Sequence, residues 1–249
     1  MLTSELLSGA YAGDVKVGIG CCPQSKHVEA SVRAMDNPNI ITYGSSEALA
    51  RDLASGGIDA AVRGDLPSSH LLPLIREAFG LKVLERVVLI DVGGRVVFMA
   101  PVGIDEGYAV KDKVDMAERI VRLAGGLGME ERRIAVMSGG RCEDRGRCPA
   151  VDRSIDSALD VVSRLKEKGY DAYHAQILIE RAIDEADIIL APEGIAGNLI
   201  FRVLHFIGGY ATLGAPVINS DRVFVDTSRE KTDYTDALAL ALKLARMRK

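Results

Sequence analysis

The residues best suited to chemistry lie where an apolar run gives way to glycine. Arg63 and Gly64 close "IDAAVRG", and Ser68 and Ser69 follow at the start of a helical stretch. Gly139, Gly140 and Arg141 follow "RRIAVMS" and open a loop that also holds Arg145, Gly146 and Arg147. Gly197 and Asn198 follow "ADIILAPEG" just before an apolar run, and "DVKVGIG" ends in Gly20 before Cys21, Cys22 and Pro23. Glycine admits backbone N–H groups close to an anion, and a following helix adds its positive N-terminus. Arginine and hydroxyls are the donors that hold phosphate, sulfonate or carboxylate. The pattern therefore predicts an anion site from Arg63, Gly64, Ser68, Ser69, Gly139, Gly140, Arg141, Gly197 and Asn198. Ser68-Ser69 and Asn198 are also expected to cap their helices. For any one loop a plain turn is the simpler reading; four such loops together favour a shared cleft.

The elements that would position these loops alternate. "DVKVGIG", "NIITYG" and "IDAAVRG" read as strands, separated by helices over "HVEASVRAM" and "SEALARDLASGG". Ser45 is placed to cap the second helix, and Gly56-Gly57 to end it. "VLERVVLIDVGGRVVFMAPVG" reads as a hairpin about Gly93-Gly94. Helices are predicted from about Lys111, over Ile155–Leu165, and from about Asp233 to Arg248, with further strands at "DAYHA", "ADIILAPEG" and "APVINS". The alternation implies an α/β fold with largely parallel sheets. Two lobes are expected, residues 1–90 with 233–249 and residues 91–232, with the cleft between them.

Composition bounds the function. The 249 residues carry a formal net charge of -4, and 48% are hydrophobic. Mild acidity and 5% aromatic residues argue against a nucleic-acid partner. No apolar run reaches the length of a membrane span, so no membrane insertion is expected. Met1 to Leu7 has no basic flank, and the four cysteines show no framework spacing; both lead to the expectation of a cytoplasmic chain with reduced thiols. Cys142 and Cys148 lack further ligands at tight spacing, and the four histidines form no spaced pair, so no metal is expected.

"ADIILAPEGIAGNLIFRVLHFIGGYATLGAPVI" and "VFVDTSREKTDYTDALALALKLA" resemble the phosphate acetyltransferase and phosphate butyryltransferase family, which has the isocitrate dehydrogenase-like fold. "SGGRCEDRGRCPAVD" is similar to the narrower methanogenesis marker protein 4 (MtxX) group, described as a methyltransferase subunit. The first resemblance implies a transferase in which Ser228 and Arg229 are catalytic and an acid a few residues on, Asp236 or Asp233, acts as base toward a thiol. Without it, Ser228 and Arg229 read as a helix-entry turn and a surface charge. The family carries Ser, Thr and Lys where this chain has its arginine loop. The resemblances imply a small anionic substrate and coenzyme A or coenzyme M as thiol cofactor; a homodimer is also expected. The transferred group is acyl on one resemblance and methyl, between tetrahydromethanopterin and coenzyme M, on the other. A non-catalytic assembly protein with the same cleft is the third expectation.

Overall fold

Two units divide the chain, one assembled from residues 4–84 and 213–249, the other from 85–212 with the chain's start up to Thr3. The structure, a computed structural model, describes residues 2–8, 14–130 and 132–248. In chain order the elements are α1 (Thr3–Leu7), β1 (Val17–Gly20), α2 (Lys26–Met35), β2 (Ile40–Tyr43), α3 (Ser46–Ser55), β3 (Ala60–Val62) and α4 (Ser68–Ala78). Then come β4 (Val88–Val92), β5 (Arg95–Ala100), α5 (Val110–Gly126), β6 (Ile134–Met137), α6 (Pro149–Glu167), β7 (Ala172–Gln176), α7 (Ile179–Glu185), β8 (Ile188–Leu190) and α8 (Gly194–Arg202). The chain ends with β9 (Thr212–Pro216), β10 (Val223–Asp226) and α9 (Thr235–Arg246).

In the split unit the strand order is β2-β1-β3-β10-β9, with β9 antiparallel to β10 and the rest parallel. β1 and β3 are buried along their whole length, as strands covered on both faces must be, and their sequences are accordingly apolar without alternation. Leu49, Leu53, Leu71, Ile75 and Phe224 cluster on one side of this sheet. α9 packs on β1, β3, β10 and α2, and its run from Ala237 to Leu242 is buried. In the continuous unit the order is β4-β5-β8-β6-β7, with only the β4–β5 pair antiparallel. That pair is the expected hairpin: Gly93 and Gly94 have φ of 61° and 89°, the two positive values a type I′ turn demands.

The expected division at residues 90 and 232 is corrected to 84 and 212. Residues 213–232 belong with the N-terminal unit because β10 pairs in parallel with β3, Val223 opposite Ala60. Two helix starts also differ. Pro67, not Ser68 or Ser69, occupies the cap position of α4, since its fixed φ suits helix entry. α8 begins at Gly194, so Asn198 lies inside it. Its cap is Glu193, whose carboxylate accepts from the N–H groups of Ile195 and Ala196.

Candidate functional site

In parallel sheets, ligand-binding loops gather beyond the carboxyl ends of the strands. The split unit brings three such ends together. After β1, the Cys22 N–H donates to the Asp65 carboxylate at 2.7 Å. After β3, Arg63 is 6% exposed and donates through Nε to Asp226 at 2.5 Å and through a terminal nitrogen to the Leu66 carbonyl at 3.0 Å. After β10, the Thr227 hydroxyl donates to the Gly64 carbonyl at 2.8 Å. Gly64 has φ of 61°, and a side chain there would overlap the Gly20 carbonyl, so glycine is required for the β1 and β3 turns to meet.

These bonds hold the next residues of the turn in place. Ser228 is half-buried and Arg229 exposed. Beneath them Tyr234 is fully buried; its hydroxyl donates to the Ser228 carbonyl at 3.3 Å. Burial, and then the charge of Asp65, push the Tyr234 pKa up to about 12, so it stays a donor. Burial likewise raises the Cys22 thiol, seconded by Asp65, whereas Arg229 works in the opposite direction. Arg229 is thus close enough to the β1 turn to act on charge there. Lys231 has its ammonium disfavoured by burial, and Asp236 and Asp233 oppose that shift. Asp236 lies in the first turn of α9, where a carboxylate also meets the helix dipole.

The continuous unit has its own set of strand-end loops. Beyond β6, Ser138 is fully buried and its hydroxyl lies 2.8 Å from both the Gly140 carbonyl and His174 Nε2. The Gly139 N–H donates to Ser154 in α6 at 2.8 Å. Beyond β8, a side chain at Gly197 would overlap the Pro101 carbonyl, so only glycine lets α8 lie against the end of β5. The Asn198 amide donates to the Val102 carbonyl at 2.9 Å and fastens the same contact. Beneath this turn the Lys113 ammonium, buried at 3% exposure, donates to Ser157 and the Pro192 carbonyl. Burial lowers its pKa.

The four glycine loops therefore fall into two pairs. Arg63, Gly64, Ser68, Ser69, Ser228, Arg229 and Asp236 lie in the split unit; Gly139, Gly140, Arg141, Gly197 and Asn198 lie in the continuous one. Arg63 is not an open anion hook, because Asp226 and Leu66 hold it; it braces the turn that carries Ser228. Of the loop arginines, Arg145 is paired with Asp156 and Arg147 with Asp144, while Arg141 makes no ion pair with a described residue. Sequence reasoning missed the Asp226–Arg63 pair, the Thr227 brace and Tyr234, all of which depend on β10 lying beside β3. Spacing also gave Cys142 no partner. His174 Nδ1 lies 3.7 Å from its sulfur, brought there from β7, 32 residues on.

No protein-family model matches the chain. It is 42% identical over 244 residues to a Methanosarcina barkeri protein named "Putative methyltransferase mtx subunit X", spanning 96% of this chain and 86% of that one. It is 25% identical over 236 residues to a phosphate acetyltransferase of Thermotoga maritima, spanning 86% of this chain and 80% of that one. Among solved structures, a branched-chain phosphotransacylase from Enterococcus faecalis superposes with a TM-score of 0.68 at 15% identity, covering 94% of this chain and 99% of that one. The phosphotransacylase fold is thereby shown.

Proposed function

This chain belongs to the family of the Methanosarcina mtx subunit X proteins, and we propose that it transfers a small group, methyl in the first instance, between an anionic carrier and a thiol cofactor. The observation that carries this reading is the docked turn after β10. Arg63–Asp226 and Thr227–Gly64 fix the backbone immediately before Ser228, and the Tyr234 hydroxyl holds the Ser228 carbonyl, so the Ser228 hydroxyl and the Arg229 guanidinium are presented beyond the ends of β1 and β3. A thiol attacking an electrophile needs its proton removed and the negative charge of the carrier or of a developing oxyanion opposed. Arg229 and Ser228 are the groups suited to the charge, and Asp236 to the proton. Coenzyme M is the thiol that accompanies methyl transfer in this reading. The relatives' name supports methyl transfer.

The test measures methyl transfer from a methylated pterin to coenzyme M beside acyl transfer from acetyl or butyryl phosphate to coenzyme A. Thermal-shift titrations with each thiol and with phosphate run in parallel, since a ligand that binds the folded state raises the midpoint. Methyl transfer lost in Arg229→Ala supports the reading. Acyl transfer alone moves the substrate assignment to coenzyme A. Neither activity, with no midpoint shift from any ligand, overturns an enzymatic role and leaves an assembly subunit.

A further inference from the structure

The continuous unit carries a thiol–imidazole pair that the proposed group transfer does not use. Cys142 is exposed and opens a single 3-10 turn, Cys142–Asp144, beyond β6. Its Sγ lies 3.7 Å from Nδ1 of His174, which comes from β7. The other ring nitrogen, Nε2, lies 2.8 Å from the buried Ser138 hydroxyl, which is also 2.8 Å from the Gly140 carbonyl. These bonds assign the tautomer. A carbonyl oxygen only accepts, so the Ser138 proton points at Gly140. The same hydroxyl oxygen must then accept, and the donor is Nε2–H. The neutral ring's one proton is thus on Nε2, and the bare Nδ1 lone pair faces the thiol.

The backbone is bent to make this arrangement. The β6–β7 register shifts between Val136 and Met137. Gln176 at the end of β7 has φ of 58°, unusual for a residue with a side chain. Its carbonyl accepts from the Ser138 N–H at 2.8 Å and its side-chain oxygen from the Cys142 N–H at 3.3 Å, so this one residue ties the hydroxyl and the thiol to the strand carrying the imidazole. Local strain of this kind concentrates at functional sites.

We infer that Cys142 and His174 form a separate reactive site, a base-assisted thiol nucleophile for an alkyl or acyl carbon borne on an anionic molecule. In the step, the Cys142 sulfur forms a bond to the carbon while the bond from that carbon to its leaving group breaks, its electron pair departing with the leaving group. The thiol proton passes to Nδ1 and from there to the leaving group or water. Burial, and then the Arg145 charge, hold the His174 pKa below its ordinary value, which keeps the ring in the basic form at neutral pH. Arg141, immediately before the thiol and without an ion pair among the described residues, supplies the attraction for the anion. The inference does not rest on the group transfer assigned to the split unit.

Cys148 provides an internal control, being exposed in the same loop with no imidazole contact among the described residues. The folded protein is treated with iodoacetamide, and alkylation of each cysteine is followed by peptide mass mapping. Cys142 is expected to react at least about tenfold faster than Cys148, since base assistance is commonly worth 10²-fold or more. His174→Gln should bring Cys142 down to the Cys148 rate. Ser138→Ala keeps the ring but removes the acceptor for Nε2–H, and should slow Cys142 severalfold. Arg141→Ala should slow iodoacetate and leave iodoacetamide unchanged. Equal rates at the two cysteines in the unsubstituted chain, or an unchanged Cys142 rate in a folded His174→Gln protein, overturn the nucleophile. Equal effects of Arg141→Ala on both reagents overturn the anionic carrier.

Discussion

At the scale of single residues, Arg229 makes no ion pair with a described residue, and the Ser228 hydroxyl accepts from the Glu230 N–H at 3.2 Å but keeps its own proton to donate. Arg63 lies next to them in space and has both its partners inside the protein, so its removal acts on folding rather than on ligand. Arg229→Ala is expected to cost about 2–4 kcal/mol of transition-state stabilisation if the guanidinium meets developing charge. Steady-state kinetics on the group transfer check this, and an unchanged kcat/KM removes Arg229 from the chemistry. Arg63→Met, in contrast, removes the guanidinium paired with the Asp226 carboxylate; breaking such a buried pair costs roughly 3–5 kcal/mol of stability. Urea denaturation measures it, and a loss below 1 kcal/mol would show that the pair braces nothing. His174 ties stability to pH. Its folded pKa lies below the ordinary 6.5 because burial, and secondarily Arg145, disfavour the imidazolium. The unfolded chain therefore binds a proton that the folded chain rejects. Stability from this group is complete above about pH 6.5 and declines as pH falls through the folded value. Between pH 7 and 5 the unsubstituted protein should lose more stability than His174→Gln, and parallel profiles would contradict this.

At the scale of elements, the N-terminal half of α8 illustrates what a sequence can and cannot declare. "APEGIAGN" announces a strand-to-helix turn through its Pro and Gly residues. It does not say which polar residue caps the helix, because Glu193 and Asn198 both have a side chain able to do so. The outcome depends on β5: the helix lies so close to Pro101 that Gly197 has no room for a methyl, and Asn198 is drawn to the Val102 carbonyl. Gly197→Ala should therefore destabilise although alanine is the better helix former, since the obstacle is backbone rather than a movable side chain. A loss of about 2 kcal/mol or more is expected from overpacking; a gain on denaturation would mean that α8 sits further from β5. Most strands of both units were legible because buried parallel strands are short apolar runs ended by glycine; β9 was placed too late, since "APVINS" meets Thr212–Pro216 only at its end, and β10 was not read from the residues. α7 was not, because seven residues make too few turns to show a period. Nor was the site around His174, because the contact with Cys142 joins two strands through a register shift that leaves no mark on either run.

At the scale of the whole molecule, the order of the chain and the order of the sheets disagree, and this has consequences for folding. The continuous unit draws all five of its strands from one stretch, Val88 to Leu190. The split unit takes β1, β2 and β3 from the first third of the chain and waits for β10 and α9 from the last tenth. β10 lies inside that sheet, between β3 and β9, and α9 buries an almost unbroken apolar run against it. The two-lobe reading followed from strand–helix alternation. The placement of residues 213–232 did not, since pairing of β10 with β3 spans 163 residues, from Arg63 to Asp226, with no local signal. Loop-closure entropy rises slowly with length, so such a pairing is tolerated thermodynamically, but it can form only once Val223–Asp226 has been made, long after β3. Residues 4–84 expressed alone lack the strand that covers β3 and the helix that covers β1 and β3, and should show no cooperative unfolding transition. Residues 85–212 alone should unfold cooperatively in urea, with a circular dichroism spectrum of mixed helix and strand. Adding residues 213–249 in trans to the 4–84 fragment should restore a transition, because what that fragment lacks is a specific strand and helix rather than hydrophobic surface in general. A sharp transition in 4–84 alone would mean that β10 and α9 decorate a sheet already complete without them.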